Sequence, residues 1–210
     1  TEPYWGVSQD QDAITLENLL NKNGLNYKII TADQKVDTMV QMIVDGKIGA
    51  IYQGNSEYGP RALGHRSIIA GAFNEKVRSE LNDRFKRREW YQPFCPMILD
   101  EDAEVILEKF YNNHHMTCAF TVKNEYINDI PAVVHIDGTA RAQIIKKHNK
   151  FWYSVLRAVK QKKKFGVCLN TSFNLHGRAI VNSYEHAIQD FLDCGIDYMI
   201  IDNHFITKAE

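Results

Sequence analysis

Short apolar runs alternate along this chain with stretches of helical period, and that alternation most narrows what it can fold into. Val36, Met39, Val40, Ile43 and Val44 recur at helical spacing behind Thr31-Ala32-Asp33-Gln34, which has capping-box spacing. Gly46 stops that helix and Ile48–Tyr52 reads as a buried strand. Asn74 caps a helix through about Arg84. Trp152, Val155, Leu156 and Val159 mark another, and Ser183 caps a third with Tyr184, Ala187, Ile188, Phe191 and Leu192 on its inner face. Thr117–Val122, Ala132–Ile136 and Phe165–Leu169 read as strands, and Tyr198–Ile201 with His204–Thr207 as a closing hairpin around Asp202-Asn203. Pro96 makes Phe94–Leu99 an edge strand or a bulge. The expectation is a single α/β (α+β) domain over 1–210.

Composition excludes several classes. The chain has 210 residues, 25 Lys+Arg and 26 Asp+Glu, for a net charge of −1, which argues against a nucleic-acid coat protein. Its longest apolar runs are far too short to span a bilayer. Cys95, Cys118, Cys168 and Cys194 form no CxxC pair, and Cys95 and Cys168 read as buried small hydrophobes. No clustered metal pattern appears, since His114-His115 as strand neighbours point to different faces. A reduced, cytoplasmic chain is expected.

The irregular segments carry the chemistry. Gly54, Gly59 and Gly64 bracket a loop with His65 and the guanidinium forks of Arg61 and Arg66, and glycines let backbone N–H groups approach an anion. The plainer reading is a surface turn. Lys86 and Arg88 offer cations near Pro93-Phe94, although composition by itself favours a solvated basic helix end. His135-Ile136-Asp137-Gly138-Thr139-Ala140-Arg141 runs into an Asp-Gly signal for a type I′ turn that can aim Arg141 into a cleft, and His135 reads as a core histidine. Asn170, Ser172 and Asn174 put amides and a hydroxyl at the end of an apolar run, suited either to a phosphate oxygen or to capping their own backbone.

Taken in order, Gly59–Ile68, Lys86-x-Arg88-Glu89, Pro131–Arg141 and Asn170-Thr171-Ser172-Phe173-Asn174 resemble the motif set of the C-terminal, YrdC-like domain of the NodU/TobZ-type O-carbamoyltransferases. The resemblance runs from about Ile48 to Ile206, with 1–47 as the lead-in from a Kae1-like N-terminal domain that is missing here. It implies a twisted mixed sheet with surrounding helices and a central concave site. It also implies a site that condenses carbamoyl phosphate with ATP, Mg²⁺ riding on the nucleotide, into carbamoyl adenylate. The Kae1-like partner would then move the carbamoyl group to an acceptor hydroxyl. Arg61, Lys86 and Arg141 match the family's catalytic cations. His65, Arg66, Arg88, Gly138, Thr139, Asn170, Ser172 and Asn174 match its substrate-binding loops. Gln92 stands where the family repeats arginine, and Arg178-Ala179 where it has Glu-Pro. Arg178 either restores the missing charge or is unrelated to it.

Two other readings stand beside this one. The basic runs Arg84–Arg88 and Lys160–Lys164 suit an RNA-binding YrdC-like module. The Gln92 change suits a nucleotide- or acyl-phosphate-binding domain that has lost catalysis.

Overall fold

The computed structural model describes residues 3–7 and 13–209. The elements follow in chain order as α1 (Ala13–Lys22), β1 (Leu25–Ile29), α2 (Ala32–Val44), β2 (Gly49–Tyr52) and β3 (Arg66–Gly71). Then come α3 (Glu75–Glu80), β4 (Cys95–Leu99), α4 (Asp100–Ile106), β5 (Phe120–Thr121), β6 (Thr139–Ala140) and β7 (Gln143–Ile145). The chain closes with α5 (Lys150–Lys162), β8 (Val167–Ser172), α6 (Tyr184–Asp193), β9 (Tyr198–Ile201) and β10 (His204–Lys208). Among the described residues eight strands form one sheet in the order β1-β10-β9-β2-β3-β8-β4-β7, and β5 pairs with β6 apart from it. The β2–β9 and β4–β7 pairs are parallel and the rest antiparallel.

Alternation along the strands divides the core in two. Ala50, Ile68, Leu169 and Met199 face one side, where α1, α3, α4 and α6 cover them. Ile51, Ile69, Cys168 and Ile200 face the other, under Met39, Val40 and Ile43 of α2 and Trp152, Val155, Leu156 and Val159 of α5. The helix faces are those the spacing predicts. Thr31 and Gln34 form a reciprocal capping box, and the Asn74 and Ser183 side chains accept from Lys76 N and His186 N. Residues 13–44 supply α1, α2 and edge strand β1, so this stretch is built into the same sheet as the remainder.

Several local expectations are corrected. β4 pairs with β8 on one side and β7 on the other, but the β7 ladder begins only at Met97. Pro96 therefore sits where one side of the strand is open and its missing N–H costs no bond to β7. Residues 132–136 do not form a strand. Pro131 starts a 3₁₀ turn, Pro131–Val133, and Ile136 is 77% exposed. The segment 117–122 keeps only two residues of ladder, in β5. His114 and His115 lie in a turn. The Asp-Gly turn is not type I′, because Ile136 and Asp137 keep negative φ while Gly138 has φ +76°. It is a tight turn closed by Gly138 N–H donating to His135 O, with glycine at the left-handed position. The Asn74-capped helix ends at Glu80 and continues as a π-helical turn, Leu81–Lys86, which ends on left-handed Arg87.

Candidate functional site

Arg61, Arg88 and Arg141 meet at one cleft of about 120 Å³ at an end of the sheet. Pro93, Phe94, Cys95, Met116, Asn170, Thr171 and Ser172 complete most of its wall, and among the described residues no carboxylate lines it. Each arginine arrives on a different device. Arg61 comes from the glycine-rich loop. Arg88 follows the π turn, where its Nε donates to Asn82 Oδ1 at 2.7 Å and its Nη2 to Pro93 O, with the guanidinium 4.4 Å from the Phe94 ring centre. Arg141 follows β6 and donates through Nη2 to Cys95 Sγ at 3.1 Å, while its Nε is buried with no partner. Burial, and behind it the charge of Arg141, pulls the Arg88 guanidinium below its usual range. A cluster of cations held together against that cost is relieved by an anion.

In the glycine-rich loop the N–H groups of residues 63–66 are already taken. Glu57 Oε1 accepts from Leu63, His65 and Arg66 N at 2.7, 2.8 and 3.1 Å, and Ser67 Oγ accepts from Gly64 N. Further along the same loop, Arg61 and Ala62 reach the cleft wall. Arg66 does not line the cleft. It is 1% exposed, lies over the Tyr52 ring, and donates to Gln53 O and Gly54 O at 2.7 and 2.8 Å. His65 also stands away from the cleft: its Nδ1 contacts Asn55 O at 2.7 Å and its ring stacks on Tyr4 at 3.6 Å. Burial lowers its pKa.

Lys86 is buried and not a solvated helix end. Its Nζ donates to Ser172 O and Oγ and to Asn174 O and Oδ1, at 2.6–3.2 Å. Burial, then the Arg88 charge, pushes its pKa down to about 7. Lys86 does not line the cleft. It fixes the Ser172–Asn174 loop whose Ser172 does. Asn174 Nδ2 donates to Arg178 O and so ties the loop's far end. Gly138 and Thr139 shape the turn before Arg141: Thr139 N and Oγ1 donate to Asp137 Oδ1, and His135 Nδ1 lies 3.2 Å from Thr139 Oγ1.

Sequence reasoning missed Cys95, Met116 and Thr171 in the wall, Glu57 and Asn82 as its supports, and Gln143 beneath it. Glu57 alone carried a signal, a solitary carboxylate inside a Gly/Arg loop. The basic runs are largely consumed within the chain. Lys160 pairs with Glu101 and Asp102, Lys164 with Asp129, and Arg84 with Glu80. Among the described residues no His/Cys/Asp/Glu group can hold a metal, and no helix is long and apolar enough to cross a membrane.

Arg178 does not replace the cation absent at Gln92. It pairs with Asp190 at 2.5 Å and Asp193 at 2.7 Å, and it is not part of the cleft wall. Arg178→Ala is expected to lower the unfolding midpoint, because the 3% exposed Asp190 loses its cation and keeps only the Leu175 N–H, and to leave phosphate affinity within about twofold. Gln92→Arg and Arg178→Ala then act additively on phosphate binding measured by calorimetry. A coupled response contradicts this assignment.

A mixed sheet flanked by helices on both faces, with a basic concave site at one end, defines a YrdC-like domain. HypF of T. kodakarensis superposes on it with a TM-score of 0.55 at 18% identity, covering 89% of this chain and 24% of that one. Residues 40–208 match the family described as Carbamoyltransferase C-terminus. The uncharacterized protein MJ1058 of Methanocaldococcus jannaschii is 42% identical over 98% of this chain and 34% of its own length. The 3'-hydroxymethylcephem-O-carbamoyltransferase of Amycolatopsis lactamdurans is 30% identical over 83% of this chain and 33% of its own length. The chain belongs to the carbamoyltransferase C-terminal family, and it spans about a third of the length of these two curated relatives.

Proposed function

We propose that this chain is the half of a carbamoyltransferase that binds carbamoyl phosphate and ATP and joins them as carbamoyl adenylate. The observation that carries the reading is a cleft with three arginines and, among the described residues, no acid. Its volume of about 120 Å³ suits a small acyl phosphate, and the larger nucleotide extends from its mouth. Water cleaves carbamoyl phosphate to carbamate and inorganic phosphate, and a carbamate oxygen then attacks the α-phosphorus of ATP and displaces pyrophosphate. Both reactants are anions, and Arg61, Arg88 and Arg141 offset their repulsion and the charge that builds in the transition state. Mg²⁺ is carried in by the polyphosphate, with few protein ligands.

Transfer to a hydroxyl belongs to a separate N-terminal domain, which shields the reactive adenylate from water. The mouth of the cleft suits such a partner. Tyr58, Trp90 and Tyr91 flank its loops in sequence and are 73%, 62% and 46% exposed. The division of labour is tested by giving the purified chain ATP, Mg²⁺, carbamoyl phosphate and a hydroxyl acceptor, with and without the N-terminal domain of a full-length relative. O-carbamoylation is expected only with that domain. Efficient transfer by the chain alone overturns it.

A further inference from the structure

We propose that Tyr4 is a positioning residue for the anion site, held there by a strap of residues 3–7; the proposal rests on the acyl-phosphate reading of the cleft. The strap lies outside residues 40–208, the part of the chain that matches the family. Its side chains alternate. Tyr4 is half-buried and Gly6 lies against Ser56, whereas Trp5 and Val7 are 67% and 66% exposed. Backbone bonds lay the strap along the glycine-rich loop. Gly6 N donates to Ser56 O at 2.9 Å, Ser56 N to Val7 O at 3.4 Å and Tyr58 N to Pro3 O at 2.8 Å. The Tyr4 ring stacks on His65 at 3.6 Å, its Oη donates to Leu63 O at 3.0 Å, and Asn149 Nδ2 donates to that Oη at 3.0 Å.

The strap therefore grips the loop at Tyr58 and again at Leu63, and the piece that reaches the cleft is strung between those two points. Pro60, Arg61 and Ala62 line the cleft wall. Gly59 has φ +126° and open space around it, so this piece swings if either grip is lost. A second contact runs behind the wall. Leu63, Cys95 and Met116 form a small apolar cluster apart from the two cores, and Tyr4 packs against it. Cys95 and Met116 also line the cleft, and Cys95 Sγ is the atom on which Arg141 leans. Tyr4 itself does not line the cleft. It acts through Leu63 on Arg61, and through Cys95 on Arg141. A guanidinium displaced by about an ångström loses directed bonds to an anion that a fixed loop keeps.

The test is titration calorimetry of carbamoyl phosphate and inorganic phosphate, run well below the lowest unfolding midpoint, on wild type, Tyr4→Phe, Tyr4→Ala, Gly6→Ala and the last two combined. Gly6→Ala lifts the strap without altering Tyr4 or the cleft, because its Cβ would stand 2.0 Å from Ser56 Oγ and 2.8 Å from Ser56 O. Tyr4→Ala and Gly6→Ala are each expected to weaken both ligands by roughly tenfold, the worth of one charge-assisted bond from Arg61. Tyr4→Phe keeps the stack and the apolar contact and is expected to stay within about threefold of wild type. The combined variant is expected to fall within about twofold of the weaker single variant, since both changes release one strap. If Tyr4→Ala does not fold, Tyr4→Leu replaces it and is expected to lose more affinity than Tyr4→Phe. Wild-type affinity in Tyr4→Ala and Gly6→Ala, with only the unfolding midpoint lowered, overturns the proposal and makes the strap a stabilising segment. Losses that multiply in the combined variant overturn it as well. A wild-type chain that binds neither ligand overturns both this proposal and the acyl-phosphate reading, whereas binding that is indifferent to the strap overturns this proposal only.

Discussion

Arg141→Ala weakens carbamoyl-phosphate binding by at least about tenfold, and by up to several hundredfold if both faces of the guanidinium engage the phosphate. The expectation follows from how the side chain is held. One nitrogen leans on the Cys95 thiol, a weak acceptor, and Nε is buried without a partner. The fork therefore has donors in reserve, and a charge-assisted bond contributes roughly 1.5–3 kcal/mol. Two such bonds in parallel give the upper figure. Arg141→Lys restores the charge without the fork and recovers only part of the loss. Arg66→Lys serves as the contrast. Arg66 donates to loop carbonyls and lies outside the cleft, so its substitution is expected to act on stability before affinity. Titration calorimetry across the set separates the two kinds of arginine, and a loss at Arg141→Ala no larger than at Arg66→Lys contradicts the assignment.

Gly64→Ala is expected to cost about 2–5 kcal/mol of stability, from backbone strain and overpacking together. Gly64 has φ +108°, a conformation other residues rarely adopt, and a Cβ there would stand 2.1 Å from Trp152 Nε1 and 2.9 Å from Met97 Cε. Neither neighbour yields easily. Trp152 is fully buried and donates from Nε1 to Gly64 O at 3.1 Å. For a chain of this length the loss corresponds to roughly 5–15 °C in Tm. Affinity falls too, because Leu63 O is held by both Tyr4 Oη and Gln143 Nε2, and displacing this loop moves Arg61. Gly59→Ala is the internal control. Its φ is +126°, but an added Cβ meets nothing within 4 Å, so only backbone strain of about 1–3 kcal/mol applies. Thermal melts of the two variants that coincide contradict the packing argument.

The contrast between these glycines shows where the sequence stops being legible. Spacing names Gly59 and Gly64 as equals; only the fold brings Trp152, 88 positions away, over one of them. α2 and α6 were readable because a period of 3.6 over thirteen and ten residues, with Thr31 or Ser183 at the start, has few alternatives. The β9–β10 hairpin was readable because a turn of two residues joins its strands. Strand order was not, since nothing local pairs β4 with β7 or β2 with β9 in parallel. The three arginines were readable as cations but not as distinct from Arg66, whose environment is set by Tyr52 and two loop carbonyls. Composition alone favoured a solvated helix end for Lys86, and only the resemblance made it a site cation, because its burial depends on a loop 86 residues downstream. Cys95 and Met116 carried no signal, since small hydrophobes in apolar surroundings look alike whether they face a core or a cleft.

The central claim is that the arginine cleft activates an acyl phosphate for adenylation, and one measurement addresses it directly. The purified chain is incubated with ATP, Mg²⁺ and carbamoyl phosphate, quenched, and analysed by mass for carbamoyl adenylate, with pyrophosphate followed in parallel. The expected result is carbamoyl adenylate, or AMP from its hydrolysis, with equimolar pyrophosphate that requires carbamoyl phosphate and falls at least about tenfold in Arg141→Ala. Tight binding of carbamoyl phosphate with no pyrophosphate released under any of these conditions contradicts the claim and makes the chain a binding domain without catalysis.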